Sequence, residues 1–306
     1  MTPDTPTRWD DPALQARLRQ RLAREQRFRA YGLAAIGITC LALAALIASV
    51  LADGAPELFR NASLYLSTDS RSAENAGLRT AMVGSILMLV LIAGLAVPVG
   101  MASALYLSEF APRSVWGARI TRGLDVVINN LAAVPGIVFG LLGLAVFINT
   151  LGLIRSSILV GGLVLALRSF PTVIIASRGA LDAVPDAIMD GALALGASRM
   201  QAVFGHKVPL AAPGMVTGAI LALAQALGEA APLLLIGMVA FFTQSPAGMA
   251  DPATALPVQI LMWSDNPGEA WTARAAAAIL VLLVLLLAVN GLAAWVRVRF
   301  ERRRVR

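Results

Sequence analysis

Residues 190–210 read DGALALGASRMQAVFGHKVPL, a short polar segment in a chain that is otherwise strongly apolar. The segment contains three charged residues and the one histidine of the chain. Gly196 suits the end of a helix, and Ser198 suits the N-cap of a second helix. Just upstream, Pro185 and Asp186 suit a first helical turn. We therefore predict two short amphipathic helices joined by a turn at Gly196.

The composition around this segment is that of a polytopic membrane protein. Of the 306 residues, 58% are hydrophobic and 14% are charged, whereas a soluble domain carries about 25% charged residues. The net charge of +7 comes from basic residues that flank apolar stretches rather than from a basic patch, which argues against nucleic-acid binding. A single cysteine, Cys40, excludes an internal disulfide and is expected to be a small apolar packing residue.

Six apolar stretches are long enough to cross a membrane, which requires about 20 residues each. The predicted spans are 31–51, 78–107, 124–149, 157–177, 211–240 and 272–296. The polar, Arg-rich residues 1–30 are too long for the charged region of a signal peptide, so we expect the first span to be uncleaved.

The distribution of charge predicts the topology. The segments 1–30, 108–123, 178–209 and 297–306 hold 19 of the 25 basic residues, whereas the loop 241–271 holds none. Basic residues are retained on the cytoplasmic side. We therefore expect both termini and the segment 178–209 to be cytoplasmic, and 52–77 and 241–271 to be outer loops. A polar insert of this length between two spans is usually functional.

The spacing within the opening segment resembles the EAA loop of ABC importer permeases. That loop reads Glu-Ala-Ala, three residues, Gly, and ends near a Leu-Pro; here Asp190 and Gly191 replace the first two residues. The resemblance implies that residues 184–209 form a coupling segment that docks on a cytoplasmic ATPase. The residues implied in this coupling are Asp190, Gly191, Ala192, Gly196, Ala197, Ser198 and Pro209.

Two further stretches are similar to the PstA family of phosphate-specific permeases. They are PGMVTGAILALAQALGEAAPLLLIGM (213–238) and LPVQILMWSDNPGEAW (256–271). The resemblance implies an all-α polytopic membrane protein of six transmembrane helices, with the type I ABC importer permease fold and cytoplasmic coupling helices. The permease core would be residues 78–296, followed by a basic cytoplasmic tail, 297–306.

The same resemblance implies the partners and the location. They are a second permease similar to PstC, an ATPase dimer similar to PstB and an external phosphate-binding protein similar to PstS, all assembled at a bacterial inner membrane. The chain has no Walker A pattern and only one His and one Cys, so we expect no enzyme activity, no metal site and no cofactor in it. ATP and Mg²⁺ would be bound by the partner ATPase.

Two ionisable residues fall well inside predicted spans, Arg168 and Glu229. An unpaired charge at the centre of a membrane helix costs about 3 kcal/mol or more, so such residues are usually paired or functional. An anion in the pathway needs a cation, and we predict that Arg168, Gln225 and Glu229 line it. Gln225 takes the position at which PstA relatives have an Arg, and it is four residues from Glu229, which predicts a shared helix face.

Prolines and a glycine interrupt four of the spans. Ordinary membrane-helix kinks are one explanation, and a gate or a central cavity is the other. The residues concerned are Pro98, Pro135, Pro171, Gly228 and Pro232.

Two alternatives to a phosphate permease remain open on the sequence. One is a type I permease for a different oxyanion, such as molybdate or sulfate. The other is a membrane scaffold or sensor whose cytoplasmic segment binds a regulatory partner.

Overall fold

The computed structural model describes residues 12–67, 75–112, 114–238 and 245–302. In those ranges the chain is helical, and the one bridge between extended residues joins Ser157 and Pro252. The predicted all-α class is therefore confirmed. The helices are α1 (Pro12–Arg60), α2 (Arg79–Leu105), α3 (Val115–Ala133), α4 (Gly136–Leu142), α5 (Ile158–Asp182), α6 (Asp186–Ala194), α7 (Arg199–Ala202), α8 (Val208–Leu227), α9 (Ala231–Leu235), α10 (Leu256–Ser264) and α11 (Glu269–Arg302).

Three turns of π-helix extend these elements. The α2 turn, Tyr106–Phe110, follows α2, and the α7 turn, Val203–Lys207, joins α7 to α8. A third, Gly143–Thr150, prolongs α4. Residues 1–11, 68–74, 113, 239–244 and 303–306 lie outside the described part, and with them parts of the predicted N-terminal segment, loops and tail.

The chain divides into two units, residues 1–52 and 53–306. In the first unit the described chain is a single helix, and its apolar side chains, among them Leu33, Ile38 and Leu46, are exposed. A helix that is apolar on all faces is stable only in lipid or against other protein. This agrees with the prediction of a membrane span at 31–51.

Five helices in the described ranges are long and apolar enough to cross a membrane, and a bent pair would make six. The bent pair is Val115–Ala133 with Gly136–Thr150, which turn by 105° at residues 134–135. Val134 and Pro135 both have extended backbone, and Pro135 is the N-cap of α4. The predicted third span, 124–149, is therefore two helical segments.

The predicted fifth span, 211–240, is wrong at both ends. Its helix begins at Arg199 and ends at Leu227. Gly228 is the C-cap, and α9 then starts separately with Pro232 in its first turn. Proline lacks the N–H that a continuous helix needs, so Pro232 suits a new start better than an interior position.

Two of the predicted helix breaks are also wrong. Pro98 lies inside α2 and Pro171 inside α5, and neither helix is interrupted. The loss of one backbone hydrogen bond is tolerated there because tight packing on neighbouring helices holds the rest of each helix in place. Of the four prolines, only Pro135 and Pro232 stand at true interruptions.

Helix α5 is the centre of the second unit and packs mainly against α2 and α8. Small residues let these helices approach closely. A Cβ on Gly162 would overlap the side chain of Leu91 on α2, and one on Gly218 of α8 would overlap the Cβ of Ala176. The main core, which includes Met88, Ile92, Val160, Val164, Leu165 and Ile236, surrounds this contact.

A second core joins residues 53–67 to α10 and the start of α11. Trp263 and Leu78 are fully buried in it. Beside them, Arg274 Nε lies 3.2 Å from Glu57 Oε1, and the guanidinium lies over the ring of Tyr65. Burial raises the pKa of Tyr65 to about 12, so its hydroxyl stays protonated at physiological pH. Arg274 lies close to the end of a predicted span, so its position in the sequence gave no signal of a buried ion pair.

Helix packing predicts opposite effects for two glycines. Gly218→Ala should lower the stability of the protein by about 1–3 kcal/mol, because the added methyl meets Ala176. Gly179→Ala on α5 has open space around it and should be neutral or stabilising, since alanine favours helix. Thermal denaturation of the purified variants in detergent measures both. Equal midpoints for the two variants would contradict the packing of α5 on α8.

Candidate functional site

The two ionisable residues predicted within spans form an ion pair, which we call the central ion pair. Arg168 lies ten residues into α5, about 15 Å along the helix axis. Its Nη2 contacts Oε1 of Glu229, which lies between α8 and α9. The two side chains remain 24% and 21% exposed. Pairing offsets the cost of holding either charge away from water, and removal of one partner would leave the other uncompensated.

The central ion pair lies against the backbone at the bend between α3 and α4. A Cβ on Gly136 would lie 2.9 Å from Glu229 Oε2 and 3.3 Å from Arg168 Nε. Both of those atoms are buried and have no hydrogen-bond partner in the described part of the chain. The pair therefore retains one free donor and one free acceptor, side by side, at the first residue of α4.

The helices that follow the two interruptions pack against each other. A Cβ on Gly140 of α4 would lie 2.6 Å from the carbonyl oxygen of Pro232 on α9. The bend at Pro135 and the gap at Gly228–Ala230 are therefore neighbours, with the central ion pair between them. Arg168, on the unbroken helix α5, therefore lies next to both interruptions: it pairs with Glu229 in the gap after α8, and it lies against Gly136 at the start of α4.

Gln225 does not join this pair. It is an exposed residue of α8, whereas Glu229 lies beyond the end of that helix at Leu227. The predicted shared face is wrong, because the i, i+4 relation holds only within a continuous helix. Gly228 is exposed as well, and a Cβ there would meet only carbonyl oxygens of α8, so this glycine ends α8 and is not needed for a close helix contact.

A second ion pair was missed by the sequence analysis. Arg178 of α5 contacts Asp125 of α3, and the two line a cavity of about 270 Å³ with Asn129 and Asp182. Arg178 is ten residues after Arg168, so α5 carries two paired arginines about 15 Å apart along its axis. The signal in the sequence was Asp125, an acid just inside the third predicted span.

The coupling segment, residues 184–209, begins with α6 and turns at Gly196. Gly196 N–H donates to the Leu193 carbonyl at 3.0 Å, and Ala197 N–H donates to the Ala192 carbonyl at 3.1 Å. These two bonds form a Schellman motif, which requires a positive φ at its glycine. Gly196 has φ +89°. The predicted turn lies at the predicted residue.

Ser198 starts the next helix, as its position predicted. Its side chain accepts from Gln201 N–H, and the Gln201 side chain accepts from Ser198 N–H, which completes a capping box. The expectation of a second short helix is wrong, because α7 continues through the α7 turn into α8. Pro209 has no N–H to bond within this helix, and Val208 N–H reaches back five residues to the Val203 carbonyl.

The residues implied in coupling differ in how far they are buried. Asp190, Gly191 and Ser198 are exposed, whereas Ala192 is buried among Met189, Ala202 and Val203. Ala197 and Pro209 are half-buried. An apolar residue at the tip, Leu195, is 91% exposed, and Leu193 and Met200 are exposed beside it. Exposed apolar side chains clustered at one turn are typical of a docking surface.

Comparison with known proteins agrees with this architecture. Residues 96–302 match the family described as binding-protein-dependent transport system inner membrane component, and residues 15–71 match a domain of unknown function, DUF3333. The probable ABC transporter permease protein YqgH of Bacillus subtilis is 34% identical, over 56% of each chain, so the match spans about half of that relative.

Two further comparisons cover more of the chain. The phosphate transport system permease protein PstA 1 of Mycobacterium tuberculosis is 32% identical over 74% of this chain and 73% of its own length. A solved structure of the MetNI methionine ABC transporter in an inward-facing conformation has a TM-score of 0.55 and 19% identity, over 72% of this chain and 96% of that chain. At that identity the structure shows the fold, which is that of type I ABC transporter permeases.

The Schellman motif predicts a sharp contrast between two glycines of the coupling segment. Gly196→Ala places a side chain at φ +89° and should cost about 1–2 kcal/mol. Gly191→Ala lies in α6, where alanine should contribute about 0.5–1 kcal/mol. The midpoint of thermal denaturation of the purified chain measures the difference. A Gly196→Ala variant as stable as Gly191→Ala would refute the turn.

Proposed function

Because this chain belongs to the family of binding-protein-dependent transport system inner membrane components, we propose that it is the permease subunit of an ATP-driven importer of inorganic phosphate. The observation that supports phosphate as the substrate is the 32% identity to a PstA phosphate permease over 74% of the chain. A permease subunit provides a pathway through the membrane and is not itself an enzyme. The chain is a multi-pass membrane protein.

The central ion pair supplies the chemistry that a phosphate pathway needs. A phosphate ion that leaves water loses its hydration, and a guanidinium replaces part of it with planar, paired N–H donors. Arg168 lies mid-way along α5 and has one unpartnered N–H at Nε. The unpartnered Oε2 of Glu229 accepts a hydrogen bond from a protonated phosphate oxygen. In this proposal Glu229 also keeps Arg168 paired when no anion is present.

The position of the central ion pair indicates how the passage of phosphate would be controlled. Arg168 is held by Glu229, which lies in the gap between α8 and α9, and both side chains lie against the first residue of α4. Interrupted membrane helices move at their breaks more readily than continuous ones do. We expect the bend at Pro135 and the gap before Pro232 to change angle during transport, with α5 as the stationary element.

The coupling segment is proposed to dock on a cytoplasmic ATPase similar to PstB, which would bind ATP and Mg²⁺. The exposed Leu193, Leu195 and Met200 are the apolar anchors of that interface. A second permease similar to PstC would complete the pathway, and a phosphate-binding protein similar to PstS would deliver the ion. Both termini and the coupling segment would face the cytoplasm of a bacterium.

The proposed pathway predicts a graded set of uptake phenotypes in the assembled complex. Arg168→Ala should abolish phosphate uptake, and Arg168→Lys should restore only part of it, because lysine lacks the planar pair of donors. Glu229→Gln should reduce uptake more than Gln225→Ala does, since Gln225 lies outside the pair. Uptake of labelled phosphate into proteoliposomes, with molybdate and sulfate as competitors, measures these effects.

Two results of that assay would contradict the proposal. Normal phosphate uptake by Arg168→Ala would remove Arg168 from the pathway. Preferential uptake of molybdate or sulfate by the wild-type complex would replace phosphate as the substrate. Co-purification of the partner subunits with each variant is the control for assembly.

The proposed topology is tested by cysteine labelling in a Cys40→Ala background, since Cys40 is exposed. A membrane-impermeant thiol reagent added to intact cells should label Ser264→Cys, at the end of α10, and should spare Ser198→Cys, in the coupling segment. Both positions are exposed in this chain, so in cells that express it without the ATPase access depends on the side of the membrane. Permeabilised cells should label both cysteines, and the opposite pattern in intact cells would invert the topology.

A further inference from the structure

The α2 turn contacts the end of α5 and, beyond it, the coupling segment. Asp182, the last residue of α5, lies two residues before that segment, and Ser108 Oγ donates to its Oδ1 at 3.0 Å. On the other side, the ring of Phe110 stacks on Phe204 at 6.5 Å between centroids. Between these two contacts, Glu109 points into the protein and is 6% exposed.

Two basic side chains of the coupling segment contact the carboxylate of Glu109. Lys207 Nζ lies 2.5 Å from Glu109 Oε1, and Arg199 Nη2 lies 3.5 Å from Oε2. Lys207 is as buried as Glu109, whereas Arg199 is largely exposed. Two buried charges lose hydration, and an apolar pair of similar size is often as stable. The Glu109–Lys207 pair is therefore better explained by the geometry that it enforces than by stability.

Both partners lie in π-helical turns, Glu109 in the α2 turn at the end of α2 and Lys207 in the α7 turn between α7 and α8. Such turns displace the regular backbone ladder by one residue and are frequent at functional positions. An apolar cluster that contains Ala192, Val203, Leu105 and Phe110 joins α6, α7 and the end of α2 into one packed block.

We propose that the coupling segment acts on the rest of the chain through the α2 turn. Glu109 is the positioning residue that transmits movement of the coupling segment to α2. This inference rests on the proposed function, because it takes the coupling segment to be the ATPase contact. The block moves as a unit when α6 is displaced, and α2 moves with it. Helix α2 packs along α5, which carries Arg168, so the movement reaches the central ion pair through continuous packing.

The test uses the complete complex, with the ATPase, the second permease and the binding protein, in proteoliposomes. The measured quantity is phosphate transported per ATP hydrolysed. The variant is Glu109→Met with Lys207→Met, which keeps an apolar contact and leaves no buried charge unpaired. We expect the ratio to fall by about ten-fold or more while assembly and ATP hydrolysis persist. Arg122→Met, which removes an exposed cation of α3, is the control and should keep the wild-type ratio.

The alternatives give distinct results. An unchanged ratio in the double variant, or uptake and hydrolysis that fall together, overturns the inference and leaves the pair with a structural role. If the double variant does not assemble, Glu109→Gln is measured for the same ratio. If the wild-type complex hydrolyses ATP without moving phosphate, the proposed substrate is wrong. Stimulation of ATP hydrolysis by the binding protein then tests the role of Glu109. Loss of this stimulation in the double variant supports the proposed role, and unchanged stimulation overturns it.

Discussion

The ion pair between Arg168 and Glu229 is the contact on which the centre of this membrane protein depends. Neither charge is stable alone at that depth, so each residue requires the other. Glu229 lies outside regular helix and Arg168 lies inside it, so the pair attaches an interrupted span to a continuous one. The bend at Pro135 lies at the same place, with Gly136 in contact with both side chains. The need to pair these two charges therefore brings the two helix breaks to the same place.

Helix α5 carries polar contacts at three positions along its own axis. It carries Arg168 at its middle, Arg178 near its end and Asp182 as its last residue, and each contacts a different element: the α8–α9 gap, α3 and the α2 turn. Most of its other side chains are buried against α2 and α8. A continuous, buried helix is a stiff reference against which interrupted helices move. The central ion pair and the α2 turn are thus linked through one helix.

Local sequence signals were sufficient to predict those features that depend on a few neighbouring residues. The turn at Gly196 and the capping box of Ser198 and Gln201 need only backbone geometry and side chains within three residues, and their positions follow from the spacing. The same holds for the apolar spans, since lipid demands a certain length of apolar helix. These rules say where a helix starts or stops, and they do not say what it packs against. Leu195 has the apolar character of a core residue and is nonetheless almost fully exposed.

The sequence alone determined the all-α membrane class, most of the spans, the turn at Gly196 and the two mid-span charges, because each depends on composition or on short-range geometry. Only the tertiary structure decided that Arg168 meets Glu229 and not Gln225, that Asp125 meets Arg178, and that Glu109 is buried against Lys207. It also separated the prolines that interrupt helices, Pro135 and Pro232, from Pro98 and Pro171, which do not. The physical reason is that an ion pair or a tolerated proline depends on which helix lies alongside, at a sequence separation of tens of residues. Hydrophobic pattern and local backbone preference carry no information at that distance.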